Sequence, residues 1–266
     1  MPEYPHISFE KDLESIAPIT LAEMDSVKLL NRIDSKYLTN ESTLEKILED
    51  AAKAGYRALE TEGSKISPYD SVYYDTDGMK MFLDHHNKRL VRQKVRTRSY
   101  VNSGDAFLEI KRKNNKGRTS KKRTSIPLSE LNDFRSDPAA AAYLAKHSAF
   151  TVDQLSPVLE TMFKRVTLVN AARTERLTID TCLCFKNLRT GREASLQDAV
   201  IIELKQDGRA SSQMKGILLD HRVKPARVSK YCIAVTLTDP EIKSGRFKPK
   251  VRTIEKVINN KIETIC

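Results

Sequence analysis

The sequence predicts an α+β protein, made mainly of antiparallel β-strands that close into a barrel with helices on its flanks. Two observations predict this class: many short segments alternate apolar and polar residues, and turn residues connect them at hairpin-like distances. The length of 266 residues is long for one domain and short for two, so one barrel with inserted helices fits it. We therefore assign residues 1–240 to a single domain and residues 241–266 to a basic C-terminal tail.

In the first half of the chain, the sequence predicts an irregular arm over residues 1–19 and then a short helix over residues 20–26. The next helix is predicted to begin at Ser42, with Glu45 completing a capping box, and to end at Gly55. The apolar stripe of this helix is Leu44, Ile47, Leu48, Ala51 and Ala52. A short helix is expected over 80–87, and strands over 29–38, 56–61, 71–75, 89–100, 106–113 and 118–126.

The second half predicts short helices within residues 128–157, one of them opened by Pro138. A further helix over 211–221 would place Met214, Ile217 and Leu218 on one face. We expect the tail after residue 239 to be partly helical or disordered. Strands are predicted over 162–170, 175–188, 199–205 and, as the last one, 226–237.

Composition excludes several classes of protein. The sequence has no run of about 18 apolar residues that could span a bilayer, and its first residues lack the apolar core of a signal peptide. We therefore expect a cytoplasmic protein, in which Cys182, Cys184, Cys232 and Cys266 are reduced thiols that match no zinc or redox spacing. The phosphate-binding motif GxxxxGK[ST] does not occur.

The charge of the chain indicates an anionic partner. The net charge is +11, which suits a nucleic acid, a membrane surface or a phosphorylated small molecule. Because every second side chain of a strand points the same way, the strand over 89–100 would place Arg92, Lys94, Arg96 and Arg98 on one face. Four neighbouring cations repel one another unless water or an anion lies between them.

The same alternation of cations with core residues recurs on other strands, together with a few carboxylates. A solvent-exposed sheet face would explain any single strand of this kind. A surface tuned for solubility mixes both signs more evenly, so the cation bias favours a barrel whose interior binds a polyanion. The further groups are Arg32, Asp34 and Lys36; Glu109, Lys111 and Lys113; Lys121 and Arg123; Arg165; Arg176 and Asp180; and Glu203 with Lys205.

A chain of phosphates is the polyanion that fits these residues. Arginine binds phosphate oxygens in pairs, lysine adds a mobile charge, and phosphoryl transfer requires mainly positioning and charge neutralisation. Glu203 is the candidate ligand for Mn²⁺ or Mg²⁺, since these ions combine one or two carboxylates with phosphate oxygens. The alternative is a structural ion pair with neighbouring cations, and Asp34, Glu109 and Asp180 are further candidates for either role.

Nine short motifs follow one another on these strands: RIDSKY (32–37), YYDT (73–76), VRTRSY (95–100), EIK (109–111), KKR (121–123), FKR (163–165), RLTID (176–180), ELK (203–205) and RVSKY (227–231). In this order they resemble the VTC-type polyphosphate polymerase domain, within the triphosphate tunnel metalloenzyme (CYTH-like) superfamily. The resemblance runs from about residue 29 to residue 235, which is most of the chain.

The resemblance implies an enzyme that transfers the γ-phosphate of ATP to a growing polyphosphate chain inside a barrel tunnel, with Mn²⁺ or Mg²⁺ and release of ADP. It implies catalytic roles for Lys36, Arg96, Arg98, Lys111, Arg165 and Arg176, and a metal-binding role for Glu203. The residues that would bind ATP or polyphosphate are Arg32, Lys94, Tyr100, Lys121, Lys122, Lys205, Arg227, Ser229 and Lys230.

The chain also departs from its superfamily. Many tunnel enzymes begin with E-x-E-x-K, whereas this chain has Arg32 in place of the first acid, which favours the polymerase over the triphosphatase branch. The inositol-phosphate sensor and membrane spans of the eukaryotic polymerases do not occur. A membrane partner would be a separate protein, which would hold the chain at the inner face of the membrane.

Two other functions remain open at this point. One is a metal-dependent inorganic or nucleoside triphosphatase of the same fold. The other is a non-catalytic module that binds polyphosphate or RNA. With 6% aromatic residues and no tryptophan, the chain offers few platforms for base stacking, so we expect no nucleic-acid partner.

Overall fold

Antiparallel strands dominate the part of the chain that the computed structural model describes, which is residues 7–24, 32–208 and 210–265. The strands are β1 (Ala17–Ile19), β2 (Arg32–Asn40), β3 (Arg57–Leu59), β4 (Ser67–Asp75), β5 (Arg92–Tyr100), β6 (Asp105–Lys113), β7 (Thr119–Ile126), β8 (Ser156–Val169), β9 (Glu175–Asn187), β10 (Glu193–Ser195), β11 (Ala199–Asp207) and β12 (Thr264–Ile265).

The long strands form one continuous antiparallel sheet in the order β7-β6-β5-β4-β8-β9-β11-β2. The short strands β10 and β12 extend it beside β9, while β3 and β1 extend it beside β8. Within the described residues, no strand pairing joins β2 to β7. The prediction of an antiparallel α+β fold is therefore confirmed, and hydrogen-bonded closure of the barrel stays a prediction.

Helices occupy the connections between the strands and the C-terminal region. They are α1 (Glu10–Glu14), α2 (Leu21–Met24), α3 (Glu41–Lys53), α4 (Lys80–His86), α5 (Pro138–His147), α6 (Gln213–Asp220), α7 (Lys230–Thr238) and α8 (Lys248–Ile258), with 3₁₀ turns at Leu128–Glu130 and Val152–Gln154. None of these described helices is long and apolar enough to cross a membrane.

The alternation of side chains gives the sheet two different faces. We call the face that carries Lys94, Arg96 and Arg98 of β5 the inner face, and the opposite one the outer face. The outer face is apolar and buried: α1, α3 and α6 cover β2, β8, β9 and β11, while α5 covers β4, β5 and β6. Because the outer face supplies most of the core, the charged side chains of the same strands lie on the inner face.

The inner face is apolar at one end only. There α7 packs on the sheet together with α4 and α8, and its residues Tyr231, Ile233 and Val235 are fully buried. The residues 241–266, expected as a tail, contain α8, whose Ile254 and Ile258 are buried in the same cluster. The C-terminal region therefore contributes to the core of the fold.

The prediction of a last strand over 226–237 is wrong, because this segment contains α7. Its β-branched, apolar sequence resembles a buried strand, and burial on nearly every side removes the 3.6-residue pattern that identifies a helix. The helix begins after Ser229, whose hydroxyl accepts a hydrogen bond from the backbone N–H of Cys232 (3.3 Å).

Two predictions near the N-terminus also differ from the structure. Helix α3 begins after Asn40, whose side chain accepts from the backbone N–H of Thr43 (3.0 Å), so Ser42 is not its N-cap. The expected irregular arm contains α1 and β1, and it buries Phe9 and Ile16 completely. Part of the expected helix over 20–26 and of the strand over 29–38 lies outside the described residues.

Candidate functional site

Asp180 holds two cations at the centre of the inner face. Its carboxylate accepts hydrogen bonds from Arg165 Nε (2.6 Å) and Nη2 (2.8 Å), and from Lys230 at the start of α7. The Asp180 side chain is only 4% exposed. Burial alone would raise the pKa of Asp180, but the two cations hold it well below its usual range. The cluster therefore joins β8, β9 and α7 through charge.

Glu109 makes a second cluster of the same kind on β6. It accepts hydrogen bonds from Arg96 Nε (2.8 Å) and Nη2 (2.6 Å), and it pairs with Lys121 of β7. The hydroxyl of Tyr73 accepts a third bond from Arg96, at Nη1 (2.9 Å). Burial opposes the ionised form of Glu109, but Arg96, Arg98 and Lys121 hold its pKa well below the usual range. The orientation of the Arg96 guanidinium is therefore fixed before any ligand binds.

Glu203 is the most accessible of these three carboxylates. It pairs with Lys36 of β2 (2.6 Å), and Lys205 lies 4.0 Å away. Its side chain is 23% exposed, against 2% for Glu109. Burial would raise the pKa of Glu203, but Lys36 and Lys205 lower it to about 2, so the group is ionised at neutral pH.

The donor set around Glu203 fits a metal that is bound mainly by its substrate. The described residues contain no group of three or more His, Cys, Asp or Glu side chains that could hold a metal alone. Mn²⁺ and Mg²⁺ do not require such a group when phosphate oxygens complete the shell. A single accessible carboxylate beside the cations of the inner face would meet this requirement if phosphate oxygens supplied the other ligands.

Three further cations of the inner face, Arg98, Lys111 and Arg176, form no ion pair with a carboxylate of the described residues. Arg98 is buried and donates only to the hydroxyl of Ser71 (3.0 Å), while the buried Nε of Arg176 has no hydrogen-bond partner. Burial, followed by repulsion from Arg96 and Arg165, lowers the pKa of Arg98 to about 10. No carboxylate of the described residues therefore pairs with these three positive charges.

Lys111 shows that the two sides of the sheet face a common space. Loss of water around it lowers the pKa of Lys111, and the nearby charge of Glu203 counteracts this effect. Lys111 lies on β6, whereas Glu203 and Lys36 lie on β11 and β2, at the other side of the strand order. Solvent still reaches the Lys111 side chain. Lys111 and Glu203 are therefore close enough to interact across the inner face, although no pairing between the described strands closes the sheet.

Aromatic rings lie between the cations of the inner face and partly offset their positive charge through cation–π contacts. Tyr69 and Phe163 stack with their centres 5.3 Å apart, Arg165 lies 4.9 Å from the Tyr69 ring, and Lys230 lies 4.4 Å from that of Phe163. Tyr100 contacts Tyr69 edge-on at 4.9 Å. Sequence reasoning missed Tyr69 because the predicted strand began at residue 71, whereas β4 begins at Ser67. Ser71 and Tyr73 lay inside the predicted strand, but nothing in the sequence showed that they lie opposite Arg98 and Arg96 of β5.

The remaining predicted site residues lie in three different places. Lys94 donates to the Ser229 hydroxyl (2.8 Å), at the end of the inner face where α7 begins. Arg32 pairs with Asp34 (2.6 Å) near the opposite end, and both side chains are well exposed. Arg227 is exposed.

Lys122 differs from its neighbour Lys121. It lies in register with Ile110, whose side chain belongs to the outer core, and it is exposed to solvent. The strand register therefore places Lys122 on the outer face, away from the cations of the inner face.

Comparison with known structures finds proteins with a similar fold. A putative adenylyl cyclase from Hippeastrum, described as having a dominant triphosphatase activity, superposes with a TM-score of 0.52 at 11% identity, covering 77% of this chain and 95% of that one. A putative adenylate cyclase from Bacillus halodurans gives 0.48 at 12% identity, covering 75% and 96%. The first similarity supports a common fold.

A search of curated proteins finds no match. The model of one protein family, the VTC domain, matches residues 31–238. This range includes every strand that lines the inner face and the start of α7. The chain therefore belongs to the VTC domain family.

Proposed function

We propose that the protein is an ATP-dependent polyphosphate polymerase, which transfers the γ-phosphate of ATP to the end of a linear polyphosphate chain and releases ADP. The observation that best supports this proposal is that Arg98, Lys111 and Arg176 of the inner face have no ion-pair partner among the described residues. The buried carboxylates beside them, Glu109 and Asp180, already pair with other cations. A polymer with one negative charge at each phosphate supplies the charge that these three cations lack.

Each cation has a distinct part in this proposal. Arg96 and Arg98 hold the triphosphate, because Glu109 and Ser71 orient their guanidinium groups beforehand. Lys111, Arg165 and Arg176 would bind the neighbouring phosphates from other strands. Because these charges are already in place, they can neutralise the transferred phosphoryl group without reorganisation.

Glu203 would hold the divalent metal that enzymes of the triphosphate tunnel type generally use, and Mn²⁺ or Mg²⁺ fits a site of one carboxylate plus phosphate oxygens. Such a metal, when bound, neutralises charge on the phosphates. Lys36 and Lys205 keep the carboxylate ionised, and the hydrogen bond from Lys36 fixes its orientation.

Triphosphate hydrolysis is the second candidate function. The dominant triphosphatase activity described for the Hippeastrum protein supports it, since the two chains share a fold. Both reactions need the same grip on a triphosphate, and they differ in whether water or a phosphate chain attacks. The pairing of Arg32 with Asp34, where a triphosphatase would carry two acids, favours the polymerase.

The test is incubation of the purified protein with ATP and Mn²⁺ or Mg²⁺, followed by measurement of ADP, orthophosphate and acid-stable polymer. Polymer that accumulates with ADP is the expected result, whereas orthophosphate without polymer would identify a triphosphatase. Tight binding of polyphosphate without either product would identify a binding module.

Lys111→Met should reduce polymer formation, and Lys122→Met, the same change on the outer face, should not.

Binding of tripolyphosphate is expected to weaken as the pH rises above about 8. Burial lowers the pKa of Lys205 and of Lys230 to about 8, although Glu203 and Asp180 counteract it. Both lysines are charged below this pH and lose their charge above it, whereas a bound polyanion favours the charged form. Each lysine can therefore weaken binding by up to about tenfold per pH unit between pH 8 and 10.

Calorimetry at pH 7, 8, 9 and 10 measures this dependence. Lys205→Met should give a shallower slope than the unchanged protein. The terminal phosphates of the ligand titrate equally in both experiments, so the difference in slope isolates Lys205. Equal slopes would contradict the assignment of Lys205 to the binding surface.

A further inference from the structure

Two loops form an exposed surface next to the end of the inner face where α7 begins. The first joins α4 to β5 and carries Leu90 and Val91, which are 60% and 61% exposed. The second is the turn between β6 and β7. Val91 lines a surface depression together with Arg112 and Lys113 at the end of β6 and with Arg118 of this turn, so the loops are adjacent. We call residues 87–92 and 112–118 the basic tip.

The basic tip carries positive charge without any acidic residue. Neither 87–92 nor 112–118 contains Asp or Glu. The exposed cations of the tip are Lys88, Arg89, Arg112, Lys116 and Arg118, with Arg92 and Lys113 partly exposed beside them. A surface that only had to remain soluble would mix the two signs, so this patch is suited to a negatively charged partner.

The two aliphatic side chains distinguish between possible partners. Single exposed aliphatic residues are ordinary, but Leu90 and Val91 are consecutive and lie in a tip that has seven cations and no acidic residue. RNA or free polyphosphate would use the cations and gain nothing from a leucine and a valine, since bases stack on aromatic rings. A membrane surface uses both, because lipid headgroups attract the cations and the acyl boundary accepts the aliphatic side chains.

We propose that the basic tip docks the protein directly on a bilayer that contains anionic phospholipids, with Leu90 and Val91 inserted at the level of the acyl boundary. The contact needs no membrane-spanning segment. It is argued without reference to the reaction, so it can hold or fail independently of the proposed polymerase activity.

The position of the tip determines which end of the inner face would face the membrane. Arg92 lies two residues before Lys94 on β5 and pairs in register with Lys113 of β6. Lys94 is the cation that contacts Ser229 on the inner face. Docking through the tip would therefore turn this end of the inner face, and not the end near Arg32, towards the bilayer.

The test is flotation of the full chain with vesicles of phosphatidylcholine alone and of phosphatidylcholine mixed with phosphatidylglycerol. The protein should bind the mixed vesicles only, and less at high salt. The double variant Leu90→Ser, Val91→Ser should lose about tenfold or more in binding. Leu219→Ser, which changes a 74% exposed leucine on α6, is the matched control and should bind normally.

Charge reversal separates lipid docking from general polyanion binding. Lys116→Glu with Arg118→Glu should also abolish flotation with the mixed vesicles. Absence of binding by the unchanged protein would overturn the proposal. A second outcome would also overturn it. If the Leu90→Ser, Val91→Ser variant bound vesicles normally, and the charge-reversed variant lost binding both to vesicles and to an RNA homopolymer, the tip would be a general polyanion site. Thermal unfolding of each variant verifies that the fold is retained.

Discussion

Replacing Asp180 with asparagine is expected to destabilise the protein by about 3–5 kcal/mol in the absence of ligand. The side chain is 4% exposed, and its loss of charge leaves the largely buried Arg165 and Lys230 next to each other without a counter-charge. The folded pKa of Asp180 lies below its ordinary value of 3.8, so the carboxylate contributes its full stabilisation above about pH 4 and loses it as the pH falls through the folded value. Urea unfolding at pH 7 measures the difference.

Asp133→Asn is the matched control for this prediction. Asp133 pairs with Arg135 at 2.6 Å, but both side chains are about two-fifths exposed, at 44% and 39%. Exposed pairs of this kind contribute about 0–1 kcal/mol, because water already solvates both charges. Two variants with equal and small effects would show that Arg165 and Lys230 do not depend on Asp180.

Tripolyphosphate provides a second measurement on the same variant. A ligand that binds only the folded state raises its stability, and one that also replaces a missing negative charge raises it further. The increase in melting temperature with added tripolyphosphate should therefore be larger for Asp180→Asn than for the unchanged protein. An equal increase would place the bound phosphates away from Arg165 and Lys230.

Strand periodicity explains why much of the basic surface could be predicted. Arg96 and Arg98 share a face of β5 in any sheet, since the two-residue repeat of a strand does not depend on its neighbours. The same reasoning predicted the outer core residues Leu108 and Ile110 of β6. On β5 and β6, the prediction of which side chains share one face of the strand depended on that strand alone, and the structure confirms it.

The pairing of charges could not be predicted in this way, because it depends on register between strands. Asp180 lies opposite Arg165 and Glu109 lies opposite Arg96, each on a neighbouring strand. From the sequence, both carboxylates were candidate metal ligands. In the structure, cations already hold both, and their side chains are almost completely buried, whereas that of Glu203 is 23% exposed.

Helix α7 shows a different limit of sequence reasoning. Its residues 231–235 are buried on all sides, so no polar face marks the helical period. Its position is fixed by contacts that lie far apart in sequence: Tyr231 donates to Asp75 (2.5 Å) and stacks on Tyr73 at 5.0 Å. These contacts bring Ser229 and Lys230 to the inner face, which a strand could not have done with the same residues.

Glu203→Gln is expected to lower the rate of polymer synthesis by about 10²–10³-fold while the protein still binds polyphosphate. Glutamine keeps the shape of the side chain but removes the charge that would hold the metal. It also releases Lys36 and Lys205 from their ion pairs, so affinity for the polyanion should stay equal or increase. Initial rates at saturating ATP over a range of Mn²⁺ concentrations, together with calorimetric binding of tripolyphosphate, measure both effects.

Glu193→Gln is the control for this substitution, because Glu193 makes the same type of pair with Lys186 at 3.1 Å, with both side chains about half exposed. It should leave rate and binding unchanged. The two measurements on Glu203→Gln separate three cases. Lost activity with retained binding supports metal binding by Glu203, whereas joint loss of activity and binding would mean that Glu203 serves to orient Lys36. Unchanged activity would remove Glu203 from the reaction and leave the cations of the inner face to neutralise the phosphates without it.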